Sequence, residues 1–241
     1  MPLNGGDVER RSFFGDPTQD DELPAVNEAF WSALIGHIER DWPCSPGAIL
    51  DVGCHTGGLL EALSHRFAPH SLVGIEPLEV ARSAASRRLH GAAATVDLLD
   101  ATGWDGVPTG AIDLVVSHEM LYLEPDVPGF MGRVRRVLRA GGMAYVVLGC
   151  HAENPLWQTW KGQMVAAGHR VYDHLPLQIM DAASAAGLMA SVQPLRRSGW
   201  ITYDPREAEF RYASVRAMLD HHYLYKLLFR FEIADDRTGS S

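Results

Sequence analysis

Ala48-Ile49-Leu50-Asp51-Val52-Gly53-Cys54-His55-Thr56-Gly57-Gly58-Leu59-Leu60 is the stretch that decides the fold of this chain. The apolar run that opens it is too short for a helix and has turn signals on both sides, so it predicts a buried strand. The strand ends in an acid, Asp51. The glycines that follow allow a sharp bend and let a ligand come close to the backbone. A helix beginning near Gly58 aims its free N–H groups back at the same place. Strand, glycine turn and helix in this order suit a nucleotide-like ligand; the plain alternative is an ordinary loop of small residues.

Working outward, 241 residues are enough to bury a full core as one domain, 1–241, with a small cap. The formal charge is −9, with no lysine- or arginine-rich tract, which argues against nucleic acid as the partner. Cys44, Cys54 and Cys150 are scattered and odd in number. They fit a reducing compartment, hence a cytoplasmic protein, and no disulfide framework. The N-terminus is acidic and broken by Gly and Pro, unlike a signal peptide. No apolar run is long enough to span a bilayer.

Residues 1–23 are polar and turn-rich, and the expectation is a segment that is mobile, or ordered only over a ligand. Val26, Phe30, Trp31, Leu34 and Ile38 recur at helical spacing, predicting a helix over roughly 24–41. Further strands are predicted at 48–53, 71–75, 94–99, 112–117 and 143–148. Helices fall between them, one over 78–89 with Val80 and Ala84 facing in, and one from Val127 to Leu138 stopped by Gly141-Gly142. Strands alternating with helices across short loops argue for a parallel sheet covered on both faces. Beyond 150 the pattern changes. Helices are predicted at 155–167, 176–187 and near 205–220, a strand at 188–194, and a closing strand through Tyr225, Leu227, Phe229, Phe231 and Ile233. The predicted class is α/β: a Rossmann-like, seven-stranded, mostly parallel sheet with an antiparallel last pair. The core is about 45–150 and 176–235, and the cap is drawn from 1–44, 151–175 and 195–222.

Open sheets of this kind bind ligands outside the carboxyl ends of their strands. The first strand delivers Asp51 and the glycine turn. The second delivers Glu76-Pro77, an acid able to accept from both hydroxyls of a ribose. The third delivers Asp100, suited to an exocyclic amine such as that of adenine. Together they specify an adenosine-containing ligand. A dinucleotide wants a second glycine where this chain has His55, and Asp51 would lie close to two phosphates. Both facts count against NAD, whereas Asp51 suits a ligand with a cationic tail.

Residues 49–57 resemble the first motif of the class I S-adenosylmethionine-dependent methyltransferases. Val73-Gly74-Ile75-Glu76 resembles their second, Leu98-Leu99-Asp100-Ala101 their third, and Ile112–Ser117 followed by Met120-Leu121-Tyr122-Leu123 their fourth. Leu138–Gly142 before the fifth strand is also typical, so the resemblance covers roughly 45–150. It departs at His55, where the family most often has glycine. The resemblance implies that Gly53 and Ser117 hold the methionine end through backbone groups, with Asp51, His55 and Gly57 shaping that loop. It implies Glu76 and Pro77 at the ribose and Asp100 with Ala101 at the adenine. The cofactor so implied is S-adenosyl-L-methionine.

The Asn/Asp-Pro-Pro-Tyr motif of base- and amide-methylating enzymes is missing, because the fourth strand runs into Ser117-His118-Glu119. His118 and Glu119 leave one strand end and His151 and Glu153 its neighbour, so the four are expected to converge, with His118 or His151 as the catalytic base. A metal on this set is the lesser alternative, and none is assigned. His221-His222 reads as a solvated helix end, and Arg133, Arg135, Arg136 and Arg139 as a solvated face. Trp157, Trp160, Trp200, Tyr203 and Tyr212 either line an apolar or aromatic substrate pocket or form the core of the cap. The expected function is methyl transfer to an oxygen or nitrogen of a small molecule. The alternatives are a C-methyltransferase, an NAD-dependent oxidoreductase and a non-catalytic cofactor-binding partner subunit. The expected partners are that small molecule and, for assembly, a second copy as a homodimer.

Overall fold

The computed structural model describes residues 17–42, 45–201 and 212–234. The first helix, α1 (Pro17–Asp41), starts earlier than its apolar spacing indicates. It is followed by β1 (Ala48–Val52), α2 (Gly58–Phe67), β2 (Ser71–Ile75), α3 (Glu79–Arg88), β3 (Thr95–Leu99) and β4 (Ile112–His118). Then come α4 (Val127–Val137), β5 (Leu138–Leu148), α5 (Trp157–Ala166), α6 (Pro176–Ala185), β6 (Leu188–Pro194), α7 (Val215–Asp220) and β7 (Leu227–Ile233). The sheet order is β3-β2-β1-β4-β5-β7-β6. Strands β1 to β5 are parallel neighbours, and β7 runs antiparallel to both β5 and β6. This is the Rossmann-like sheet with an antiparallel last pair that the alternation predicts. Of the expected mobile segment 1–23, residues 17–23 belong to α1, and the rest lie outside the described residues, as do Cys44 and Tyr203.

The pleat of β1 sorts its side chains between two layers. Ala48, Leu50 and Val52 pack with Phe130, Val134 and Trp157 on one face. Ile49 packs with Leu34, Ile38, Leu60 and Leu63 of α1 and α2 on the other. Asp51 follows Ile49 on that second face, at its top.

Three readings are corrected by the packing. In α3 the buried residues are Ala81 and Ala85, while Val80 is exposed. Helix α3 lies close to the glycine turn, where a Cβ at Gly57 would stand 3.0 Å from that of Ala85, so small residues face in. Helix α4 ends at Val137, before Gly141-Gly142. Gly142 serves instead a close backbone approach, since a Cβ there would meet the carbonyl oxygens of Ile112 and Asp113 at 3.1 and 3.0 Å. The arginines of α4 are only in part a solvated face: Arg139 stays exposed, but three of the four are engaged. Arg133 pairs with Glu124 at 2.9 Å, Arg136 donates to the carbonyls of Trp104 and Val107, and Arg139, just beyond the helix, pairs with Asp113.

Candidate active site

The carboxyl ends of β1, β2 and β4 bring the acids and His118 together. Register places Asp51 opposite Gly74 on one side and Val116 on the other. His118, two residues beyond Val116, therefore follows Asp51 along the same face of the sheet. Asp51 is buried, and its Oδ1 has no partner among the described residues. Burial first, and then the charge of Glu76, pushes the Asp51 carboxyl up to about 8. An unpartnered buried carboxyl beside a second acid is costly. A cationic ligand relieves that cost.

Glu76 is held by the loop it faces. Its Oε2 accepts from the His55 backbone N–H at 3.1 Å and its Oε1 from that of Leu78 at 2.8 Å. Burial raises its carboxyl, and these donors act against the rise. The Arg82 guanidinium donates to the carbonyls of Glu76 and Pro77, both at 2.6 Å, and fixes the strand end.

The glycine turn depends on left-handed backbone at Gly53 (φ 80°), His55 (φ 47°) and Gly57 (φ 80°). A Cβ at Gly53 would stand 2.6 Å from Met120 Cγ, so both conformation and space demand glycine there. His55 takes the same region with a side chain, which is how the loop absorbs its departure from the family pattern. Ser117 is fully buried, and its hydroxyl donates to the Val52 carbonyl at 2.9 Å, tying β4 to β1. Asp100 and Ala101 are exposed at the end of β3. Asp100 Oδ1 accepts from the Thr102 hydroxyl at 2.6 Å and its backbone N–H at 2.8 Å, and these hold the carboxyl below its ordinary value.

The expected convergence of His118, Glu119, His151 and Glu153 is only partial. The His118 ring sits 6.3 Å from Trp31 and 6.4 Å from Phe30, both on α1, and its Nε2 has no partner among the described residues. Burial first, then the Lys226 charge, holds it down to about 3. Glu119 turns aside: both its oxygens accept from the Gly149 N–H at 3.0 Å, and Lys226 Nζ lies 2.6 Å from Oε1. Burial opposes its ionisation, but the Lys226 charge, with His118 and the hydrogen bonds, outweighs burial and brings it to about 2. His151 is buried, and its Nε2–H donates to the Tyr225 carbonyl at 2.8 Å, leaving Nδ1 without a partner among the described residues. Glu153 is exposed.

His221-His222 is the clearest correction. Both rings are buried, in a turn of π-helix over 221–225. The two rings do not point apart: they meet edge-on at 5.4 Å, and each also meets an aromatic partner instead of water. His221 lies edge-on to Trp160 at 4.8 Å and accepts from Asn154 Nδ2 at 3.1 Å. His222 stacks on Phe30 at 5.2 Å. Trp157 and Trp160 belong to the core, and Trp200 is 92% exposed. Lys226, 5% exposed beside the site, escaped the sequence reading. Its signal was there: one lysine inside the apolar run Leu224-Tyr225-Lys226-Leu227-Leu228.

Among the described residues, no group of three or more His, Cys, Asp or Glu side chains is arranged to hold a metal, and no helix is long and apolar enough to cross a membrane.

Residues 49–142 match a family described as a methyltransferase domain. The chain is 28% identical over 132 residues to the trans-aconitate 2-methyltransferase of Acidovorax sp. (strain JS42), covering 51% of this chain and 50% of that one. It thus spans about half the length of that relative. A chain from the complex between the Haloferax volcanii Trm112 methyltransferase activator and a methyltransferase superposes with a TM-score of 0.73 at 16% identity, covering 95% of this chain and 100% of that one. The S-adenosylmethionine-dependent methyltransferase from Mesorhizobium loti superposes with a TM-score of 0.61 at 17% identity, covering 83% and 97%. At such identities the likeness shows the fold. The cofactor of the matched family is S-adenosylmethionine, and the unpartnered, buried Asp51 carboxyl suits its ammonium-bearing end. By domain match over residues 49–142 and by fold, this chain carries a methyltransferase domain with the class I S-adenosylmethionine-dependent methyltransferase architecture.

Proposed function

We propose that this protein transfers a methyl group from S-adenosylmethionine to an oxygen or nitrogen of a small-molecule acceptor. One observation carries the reading: Asp51, buried without a partner for Oδ1 beside Glu76, at the strand end from which the glycine turn departs. In this reading Asp51 receives the cofactor's ammonium. Glu76 accepts from the ribose hydroxyls, with Pro77 at its border, and Asp100 with Ala101 meets the adenine. Gly53, His55 and Gly57 shape the loop around the methionine end, and Gly53 and Ser117 offer it backbone groups. The Ser117 hydroxyl, already committed to Val52, favours the backbone role.

The bound cofactor supplies a methyl group activated by its sulfonium. The chain's own work is then to orient the acceptor in line and keep water out. His118 and His151 are the residues proposed to meet the acceptor. An imidazole held near 3 is a weak base at neutral pH, so His118 serves by orienting a hydrogen bond. His151, with Nε2–H committed to Tyr225, keeps Nδ1 as an acceptor. The cap is proposed to come from 1–44, 151–175 and 195–222, on the core of about 45–150 and 176–235. The rings of Phe30 and Trp31 over His118 support this. The Acidovorax relative is named for trans-aconitate, a small molecule, in keeping with a small acceptor. The unpaired Cys54 and Cys150 support a reducing, cytoplasmic setting.

Calorimetric titration with S-adenosylhomocysteine, with NAD in parallel, tests the reading. Micromolar binding of the first and none of the second is expected. Binding of NAD alone, or of neither, refutes it.

A further inference from the structure

Beside the acidic half of the site lies a second group of residues that the cofactor reading leaves unused. Phe30 is its centre. The Lys226 ammonium stands 4.0 Å from the Phe30 centroid and the Arg197 guanidinium 5.5 Å, while His222 stacks on the ring at 5.2 Å. His118 lies 6.4 Å from the same ring and 6.3 Å from Trp31. Four nitrogens in this group are buried without a partner among the described residues: Trp31 Nε1, His118 Nε2, His222 Nδ1 and Arg197 Nε. Two of them, the indole and the guanidinium, can only donate. Buried donors left unmatched cost roughly 1–3 kcal/mol each, so a cluster of them points to a ligand rich in acceptors.

The charge agrees. Lys226 and Arg197 are cations, and Glu119, paired with Lys226 at 2.6 Å, is the carboxylate that faces Lys226. Burial, with the Lys226 charge at both rings and the Arg197 charge at His222, holds His118 and His222 neutral. One positive charge is left over, against an aromatic wall, next to the strand end where the methyl group would be delivered. Amines and sulfonium groups are poorly served here. They are matched instead by Asp51 and Glu76 on the other side.

We propose that the acceptor presents an anionic oxygen, a carboxylate or a phenolate, and that Arg197, Lys226, Trp31, His118 and His222 form its subsite against Phe30. The proposal rests on the methyltransferase reading above and narrows it. An anionic oxygen attacks the methyl carbon, forming the O–C bond while the S–C bond breaks and its electron pair stays on sulfur. The sulfonium becomes a neutral thioether and the product a neutral ester or ether. No proton leaves the acceptor, so no base is required, which is consistent with imidazoles too weakly basic to take one.

The test uses the full chain saturated with S-adenosylhomocysteine, whose binding is first measured by calorimetry. Failure at that stage sinks the methyltransferase reading itself. Benzoate and 4-nitrophenolate, in mildly alkaline buffer, are the carboxylate and phenolate probes, with benzamide and nitrobenzene as neutral controls. The readout is the NMR signal of the Trp31 indole N–H and the imidazole signals of His118 and His222. One of the two anions is expected to shift these signals saturably, which also tells carboxylate from phenolate, while its neutral control does not. In Arg197→Gln, a substitution in a partly exposed segment, the affinity for that anion should fall at least about tenfold, the loss of one charged hydrogen bond. The proposal is overturned if neither anion shifts the signals, if the neutral controls do so equally, or if Arg197→Gln binds the anion as the parent does.

Discussion

Asp51→Asn separates what Asp51 costs the fold from what it does for the cofactor. The Asp51 carboxyl ordinarily titrates near 3.8, and in the folded chain burial and Glu76 push it up to about 8. Between these values the folded chain holds a proton that the unfolded chain has released. Stability is therefore undiminished by this group below the ordinary value and is lost as pH rises toward about 8. At about 1.4 kcal/mol per pH unit, the loss between pH 5 and pH 8 reaches at most about 4 kcal/mol. An asparagine does not titrate. Any packing penalty of the amide is the same at both pH values, so it cancels when the two are compared.

The expected result is that the stability of Asp51→Asn relative to the parent, from urea unfolding without cofactor, rises by about 2–4 kcal/mol from pH 5 to pH 8. The same substitution should weaken S-adenosylhomocysteine binding at neutral pH by about 1.5–3 kcal/mol, the worth of a hydrogen bond to a charged group. A relative stability that stays flat with pH would mean that Asp51 is not held protonated. Unchanged affinity would mean that Asp51 does not meet the cofactor. Either result refutes the reasoning behind the site.

Glu119→Gln leaves the Lys226 ammonium buried without its counter-charge and should cost about 3–5 kcal/mol in urea unfolding; adding Lys226→Met should recover much of that, and no recovery would deny the pair. Gly53→Ala forces a left-handed alanine against Met120 and should cost about 2–4 kcal/mol, with cofactor affinity falling too; a variant as stable as the parent would show that the turn relaxes freely. Glu76→Ala should weaken S-adenosylhomocysteine by about 1–3 kcal/mol in calorimetry. Asp100→Ala should weaken it while leaving thermal unfolding unchanged, since Asp100 is exposed and bonds only to its own turn; parental affinity would remove Asp100 from the adenine end.

The sheet was legible because its signals are local. Ser71–Ile75 and Leu188–Pro194 match their predicted strands residue for residue: each is a short run between turns, the second opened by Gly187 in left-handed backbone. The acids at the strand ends were legible for the same reason, since a parallel strand delivers its last residue to one edge. What was not legible depends on contacts between distant segments. The inner face of α3 is set by how closely Ala85 approaches Gly57. The burial of His221 and His222 depends on Trp160 and Phe30, far away along the chain. No spacing rule announces a π-helical turn. Lys226 pairs with Glu119 across 107 positions, and only its isolation among apolar neighbours marked it.

These long-range contacts divide the site by charge. On one side, β1 and β2 bury two carboxyls, and the charge of Glu76 adds to burial in raising the affinity of Asp51 for a proton, an arrangement that makes sense against a cation. On the other, the segment leading into β7 brings Lys226 onto the end of β4 and neutralises Glu119, the acid that would otherwise extend the negative half. Without Lys226, Glu119 would add its charge beside His118, raise the basicity of that ring and repel an anionic acceptor. With it, the ring stays neutral and the field changes sign between Asp51 and Phe30. Methyl transfer from a sulfonium to an anion annihilates a pair of opposite charges. A site that holds the two charges on opposite, fixed halves positions both reactants before reaction. The methylated acceptor loses the charge that the cationic half would hold, which favours its release, while the demethylated cofactor keeps the ammonium that Asp51 would meet.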